Sequence, residues 1–500
     1  MPTHARPEPP HFRESAVVVL LRGHDDALET YWVRRSDEVP IQPGFMSFLG
    51  GKVDAQDAEL ELPGANEETR PARACAIREA LEEAGVLVAL RGEADPGALA
   101  EARAALLTGR ATLPALARQH GWRFDPDALQ FAGRWQTPPF APVRFDTLYF
   151  TARVPEGQAP AIEPGELAHG EWVRPADALA LWRAGERTFV APILWTLCAL
   201  AEGEDGLADR LADGPRRAAT PARLVEMQFG VVLHAMTTRP LPPARHTNAY
   251  FVGESEMALI DPGSDEPAAL AELFAVADAL ARQGRRVKLI VVTHHHADHL
   301  GGVAACRERF RVPVAGHAAL APHLKLDLVV GDGDTLALAP GVGAWDLTVL
   351  ATPGHTRDSI SLWHARNRSL FCGDLIPGGP GSVIVDPPDG DMGGYLASLE
   401  RVAALDPRTL FPAHGSPQGA AARRARALIA HRRQREAAVL AALADGPRTL
   451  RELLPLVYAD TAPELWPLAE RSLLAHLMLL ESGRRARRDG ERWAAMPGTV

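Results

Sequence analysis

Leu289-Ile-Val-Val-Thr-His-His-His-Ala-Asp-His299 is an apolar strand that runs straight into His294, His296, Asp298 and His299. Alternate side chains at the end of a buried strand can be aimed at one point, and neutral imidazole with carboxylate is a ligand set that zinc accepts in catalytic sites. Three further candidates each close a strand-like run: His355 in LTVLATPGH, Asp374 in SLFCGD and His414 in FPAHG. Isolated histidines are mostly surface or satisfied core residues. A His-x-His-x-Asp-His cluster followed by a separate His, Asp and His is hard to obtain by accident, and it reads as a catalytic metal site. His295 and His364 fall outside the pattern and read as bystanders.

Around this stretch the chain is modular. Its 500 residues exceed one ordinary core. We expect an α/β and α+β multidomain protein with a domain over 10–200, a charged linker over 201–227 (Glu202 to Arg217 at its heart), a domain over 228–420 and a tail over 421–500. Residues Ala16 to Leu21 and Thr30 to Arg34 read as strands, Ala72 to Ala84 as a helix stopped by Gly85, and RFDTLYFTARV as a further strand.

Composition narrows the class. The 46% hydrophobic and 23% charged content fits a soluble globular chain. No span is long enough for a bilayer, and MPTHARPEPPHFRES lacks the layout of a signal peptide, so a cytoplasmic location without membrane partners is expected. The four cysteines form no CxxC pair, which leaves His and carboxylates to hold any metal. A net charge of −10 argues against nucleic-acid attraction over the whole surface but not on one basic face.

The order THHHADHLGG, TPGHT, GD and AHG resembles the metallo-β-lactamase superfamily. That resemblance implies a central αββα sandwich and two Zn2+ ions, one held by His294, His296 and His355, the other by Asp298, His299 and His414, with Asp374 bridging and Asp298 also in a catalytic role. Asp261 in LIDPG would stand behind the ligands and hold one in place. Water activated between the metals implies hydrolysis of an ester, thioester or phosphodiester. An aspartate at position 374 resembles the thioesterase and nuclease branches more than the zinc β-lactamases.

RHTNAYFVG, HRRQREAAVLAAL and LLAHLMLLESGRRARRDGERW are similar to the subgroup with a C-terminal winged-helix domain, which includes an endoribonuclease. Leu473, Leu474, Leu477, Leu479 and Leu480 have apolar spacing, and a basic hairpin with Trp493 follows. Arg423, Arg424, Arg426, Arg432, Arg433 and Arg435 would serve RNA only on a continuous basic surface. Against RNA stand Asp386, Asp389 and Asp391 in the Gly/Pro-rich loop after Asp374. RNA and small acyl compounds therefore both remain as substrates at this stage.

FLGGKVD, then Arg78-Glu79-Ala80-Leu81-Glu82-Glu83-Ala84-Gly85-Val86, resembles the Nudix box, and WQTPPFAPVRFDTLYF its coenzyme A-diphosphatase-like branch. A helix carrying Glu79, Glu82 and Glu83 at i, i+3 and i+4 puts three carboxylates on one face, suited to Mg2+ or Mn2+ and a nucleotide diphosphate derivative. Glu82 and Glu83 would be catalytic as well. About a dozen extra residues around ELELPGANEETR interrupt the box, so Arg78 would pair with Asp57 or with Glu67 or Glu68. The domain is then a second hydrolase or a module that only binds its ligand.

Overall fold

The computed structural model describes residues 12–138, 141, 143–219, 224–242, 244–341 and 343–497. The first eleven residues, read above for a signal peptide, and positions 139, 140 and 142 of WQTPPFAPVRFDTLYF lie outside the described residues. The chain forms two compact units, Met1–Phe229 and Gly230–Val500.

The first unit is built on the strand Arg13–Arg22, which pairs in parallel with Phe145–Arg153 and antiparallel with Glu29–Arg35 and Leu49–Lys52. Its apolar run is continuous because both faces are covered. Ala16, Val18 and Leu20 enter one core with the helix Arg70–Ala84. Val19 and Leu21 enter another, shared with Pro175–Arg183 and Ala191–Ala201. Gly85 ends the first helix in the left-handed region, at φ +70°. Part of the segment read as a charged linker is a helix, Leu207–Ala219, whose Leu211 is buried in the second core. This mixed sheet between helices is consistent with a Nudix fold.

The second unit begins as two facing sheets. One carries, in order, Leu328–Val330, Val314–His317, Arg286–Val291, Glu256–Ile260, His246–Gly253 and Val231–Thr237; the other carries Thr335–Gly341, Gly343–Ala351, Ile360–His364, Ser369–Phe371 and Thr409–Phe411. Tyr250 bridges them: its hydroxyl donates to the Pro412 carbonyl at 2.7 Å, and its ring meets Phe371 and Phe411 edge-on. Helices cover the sandwich. Pro267–Arg282 buries Leu273, Val276, Ala277 and Leu280, and Met392–Leu405 buries Tyr395, Leu399 and Val402, both at helical spacing.

After the helix Ala421–Leu443 come Leu450–Val457, Trp466–Ser482 and a hairpin of Ala486–Asp489 with Arg492–Ala495. Leu440, Leu443, Leu453, Val457, Leu473, Leu477, Leu480 and Trp493 form one core. This is a winged helix. Among the described residues no helix is long and apolar enough to cross a membrane.

Candidate metal centre and a carboxylate helix

The strand Arg286–Val291 ends just before Thr293, and the short helix Ala297–Leu300 starts just after His296. The link between them bends at Thr293 and His294 and brings His294 and His296 side by side. The helical turn then swings Asp298 and His299 to the other side. Gly263 permits this fit, since a Cβ there would collide with the Asp298 carbonyl.

All seven predicted side chains converge. Ligand atoms of His294, His296, His355 and Asp374 lie within 4.8 Å of one another, and so do those of Asp298, His299 and His414. His296 Nδ1 stands 3.1 Å from His294 Nε2 and 3.0 Å from His355 Nε2. Asp374 faces both groups. Its Oδ2 is 3.6 Å from His355 Nε2, and its Oδ1 is 3.3 Å from His414 Nε2 and 3.5 Å from His299 Nε2. Asp298 Oδ2 lies 3.3 Å from His414 Nε2.

The hydrogen bonds behind these rings decide whether the set suits a divalent cation. His355 Nδ1 donates to the Ile384 carbonyl at 2.7 Å, His414 Nδ1 to the His246 carbonyl at 2.8 Å, and His299 Nδ1 to Asp261 Oδ2 at 2.9 Å. Each acceptor has no proton to give, so in each neutral ring the lone pair sits on Nε2 and points inward. His299 Nε2 and Asp374 Oδ1 are buried there without a hydrogen-bond partner. Inward lone pairs, two carboxylates and orphaned buried atoms together fit metal coordination, and they fit apolar packing or a closed hydrogen-bond network poorly.

Electrostatics agrees. Burial holds His294 far below the ordinary histidine range and, helped by the neighbouring His355 ring, His296 down to about 4. Burial would also raise the Asp374 carboxyl, but the His414 and His299 charges outweigh it and hold the group well below the usual carboxylate range. Burial would lower His414, yet Asp374 and the bond from Asp298 carry it to about 10. His299 rises likewise, against burial, beside Asp374 and Asp261. Two carboxylates here demand positive charge, supplied either by protonated rings or by a divalent ion that leaves the rings neutral as ligands.

Asp261 is fixed from three directions. Thr293 donates to it through both its backbone N–H, at 2.8 Å, and its hydroxyl, at 2.7 Å, and His299 donates from the third side. Its φ of +48° is a left-handed conformation that aspartate and asparagine tolerate better than most residues. Asp261→Asn keeps the backbone and removes the charged acceptor, so it is expected to lower divalent-metal affinity about 10- to 100-fold. Chelator competition measures this; wild-type affinity in the variant would show that Asp261 does not orient His299.

Beside the cluster lies a cleft of about 430 Å³ lined by His296, Asp298, His355, Ile384, Asp386, Asp389, Arg239 and Arg471. The Gly/Pro-rich loop does border it, through Asp386 and Asp389. Asp391 instead caps the helix Met392–Leu405 by accepting from the Gly394 N–H. His295, read as a bystander, is engaged: Nδ1 lies 2.9 Å from Asp358 Oδ1, Nε2 lies 3.6 Å from Asp389 Oδ2, and the ring stacks on His323. It too lines the cleft. His364 is buried against Trp345, stacked at 4.4 Å, as a core residue.

In the first unit Arg78 is 4% exposed and gathers the predicted carboxylates. Its Nε and Nη2 hold Asp57 at 2.8 and 3.1 Å, and its Nη1 meets Glu79 at 2.8 Å and Glu82 at 2.9 Å. Of the three partners left open by the sequence, Asp57 is the one used; Glu67 pairs with Arg70 at 3.2 Å. The interrupting residues bury Leu60 and Leu62 in the core. Glu83 accepts from the Gly50 N–H at 2.8 Å. Gly51 lets the Glu79 carboxylate sit close to the backbone, since a Cβ there would displace that carboxylate. Held in this way, Glu79, Glu82 and Glu83 are not one of the close ligand triples among the described residues.

Burial lifts Glu79 to about 7; the Arg78 guanidinium opposes this, and the Glu82 and Asp57 charges add to it. The folded state thus binds this proton more tightly than the unfolded state. The stabilisation is full below the ordinary glutamate range and is lost as pH rises through 7. Without divalent cations, wild type should lose ~3 kcal/mol relative to Glu79→Gln between pH 4.5 and 8. Melting both proteins across that range checks the sign; parallel curves would contradict it.

A model described as the Metallo-beta-lactamase superfamily matches residues 242–414, and one described as Beta-lactamase associated winged helix domain matches residues 449–493. A Beta-lactamase-like protein 2 homolog of Caenorhabditis elegans is 30% identical over 229 residues, 43% of this chain and 72% of that one. A hydroxyacylglutathione hydrolase of Bdellovibrio bacteriovorus is 33% identical over 154 residues, 30% of this chain and 55% of that one. Among solved structures, a NUDIX hydrolase from Alicyclobacillus acidocaldarius is similar at TM-score 0.36 and 29% identity, covering 41% of this chain and 98% of that chain. With a family model spanning every member of the histidine cluster, and a relative matched over most of its own length, the chain belongs to the metallo-beta-lactamase superfamily and is a hydrolase.

Proposed function

We propose that the domain over 228–420 is a binuclear zinc hydrolase that cleaves a small ester or thioester. His294, His296 and His355 would hold one ion and Asp298, His299 and His414 the other, with Asp374 between. The observation that carries this is the convergence of inward-facing ring nitrogens and carboxylate oxygens on a single carboxylate, Asp374. Bound there, the ions would supply a water nucleophile at neutral pH and polarise the scissile carbonyl. The protein's own part is to hold each ring in one tautomer through Asp261, Ile384 and His246, and to present a cleft of small-molecule size.

The substrate class follows from the cleft and the tail. The rim mixes Asp386 and Asp389 with Arg239 and Arg471, Asp386 being paired with Arg471 at 3.1 Å, so it offers a phosphodiester strand no continuous basic track. Three of the tail's arginines are engaged elsewhere: Arg433 with Glu400, Arg435 with Asp460, and Arg424 with the carbonyls of Gly379 and Gly381. This favours a small acyl compound over an endoribonuclease with an RNA-gripping tail. The test assays the Zn2+-loaded full chain on a hydroxyacylglutathione, a coenzyme A thioester and RNA at low salt. Turnover of either thioester without RNA cleavage is expected; RNA cleavage alone would overturn the reading.

A second activity is supported by the Arg78 network and the Gly51 approach to Glu79. Residues 10–200 would then be a Nudix hydrolase of a nucleotide diphosphate derivative such as coenzyme A, using Mg2+ or Mn2+ at Glu79, Glu82 and Glu83. Hydrolysis of coenzyme A, lost in Glu82→Gln and Glu83→Gln, tests it. Binding without turnover would leave a ligand-sensing module.

A further inference from the structure

The loop between the strand Ser369–Phe371 and the helix Met392–Leu405 carries Asp374 and also meets the cluster through its backbone: the Ile384 carbonyl fixes His355, and the Gly378 N–H donates to the His414 carbonyl at 2.8 Å. A segment without regular structure depends on outside partners to hold its backbone. Around Ile384 those partners come from the tail. On the helix Ala421–Leu443, Arg424 donates to Gly379 and Gly381 at 2.8 Å and Arg432 donates to the Val383 carbonyl. On the helix Trp466–Ser482, the Ser472 hydroxyl accepts from the Val385 N–H at 3.3 Å and Arg471 pairs with Asp386 at 3.1 Å. Ile384 thus lies between two residues, Val383 and Val385, that are each held from the tail.

Arg432 is the informative member. Its side chain is 2% exposed, it forms no carboxylate pair among the described residues, and its Nε has no partner. Its guanidinium lies over the Tyr395 ring, 5.4 Å from the centroid. A buried, unpaired cation is costly, and an apolar side chain of the same volume would serve packing better. What methionine could not supply is the hydrogen bond to the Val383 carbonyl.

We infer that the winged-helix tail is a working part of the metal centre, and that Arg432 is a positioning residue which sets His355 through Val383 and the Ile384 carbonyl. This rests on the metal reading above. The tail then needs no nucleic acid to account for its arginines; its inner helix faces grip the loop at the mouth of the cleft. A tail in this role puts Arg471 on the wall of the same cleft.

The test is Zn2+ affinity of the full chain by chelator competition, with thermal melting alongside. Arg432→Met should melt no lower than wild type yet bind zinc roughly tenfold more weakly, as for loss of a partner outside the ligand shell. Arg432→Lys restores a donor and should recover most of the affinity. A purely structural role predicts the reverse pattern, a lower melting point with unchanged zinc affinity, and that result overturns the inference. Equal losses in the Met and Lys variants would overturn it too. If Arg432→Met does not fold, Ser472→Ala on the other flank should weaken zinc binding about threefold, and unchanged affinity there counts against the inference. A wild-type chain that binds no Zn2+ would overturn the metal reading and this inference together; wild-type binding with an unaltered Arg432→Met overturns this inference alone.

Discussion

Asp374→Ala is expected to bring metal-dependent hydrolysis, of a thioester on the reading proposed above, down by about 10³-fold or more. The reason is placement. One carboxylate lies within 3.6 Å of His355 through Oδ2 and within 3.5 Å of His299 and His414 through Oδ1, so it faces both ligand groups. Electrostatic stabilisation by a metal pair amounts to several kcal/mol, and each 1.36 kcal/mol is a factor of ten in rate, which together set the scale. The variant should also retain less than the full two equivalents of zinc. Measured kcat/KM and metal content decide the matter: two tightly held zinc ions with near wild-type turnover would sink the bridging role. His364→Ala, in the core against Trp345, is the control that should leave zinc binding intact.

What could be read in advance was set by local geometry. The alternation of His294 and His296 at a strand end needs no tertiary knowledge, and neither does the double-sided burial implied by Ala16 to Leu21. Asp374 is different. Its position between two ligand groups depends on Ser369–Phe371 in one sheet ending opposite Arg286–Val291 in the other, and the linear spacing contains no trace of that. His295 was missed because its partner Asp358 is 63 positions on; that pairing holds it at the cleft beside His296, the ring centroids 5.0 Å apart.

Charge misled where amphipathicity was informative. Leu207 and Leu211 are four apart, on one helical face, within a segment read as a linker for its charges; Leu211 is buried and Leu207 packs beside it. The same holds in the tail. Arg424 and Arg432 lie on the side of their helix that meets the loop, so a count of arginines overstated the basic surface. Asp57, by contrast, could have been preferred to Glu67 from position alone. It sits in the turn Ala55–Glu59, immediately after Leu49–Lys52, and Arg78 also donates to the Lys52 carbonyl at 3.0 Å.

That junction carries the second large effect. Arg78→Met should destabilise the first unit by about 3–5 kcal/mol, because it strands buried carboxylates whose compensating cation among the described residues is the guanidinium. Asp57 is 1% exposed and Glu79 9%, so neither can turn to water without opening the core. At 2–4 °C per kcal/mol for a unit of this size, the first melting transition should fall by about 10 °C. The loss should be larger at pH 8 than at pH 5, since Glu79, held at about 7, is protonated at the lower pH and needs the cation less. Arg78→Lys should recover only part, as one ammonium cannot match a fork that meets Asp57, Glu79 and Glu82 at once. Pairing Arg78→Met with Asp57→Leu removes both ends of the closest ion pair and should be less destabilising than the sum of the two single changes. Calorimetry at the two pH values checks all of this. An Arg78→Met protein that melts like wild type at pH 8 would show that the carboxylates are compensated by something other than Arg78.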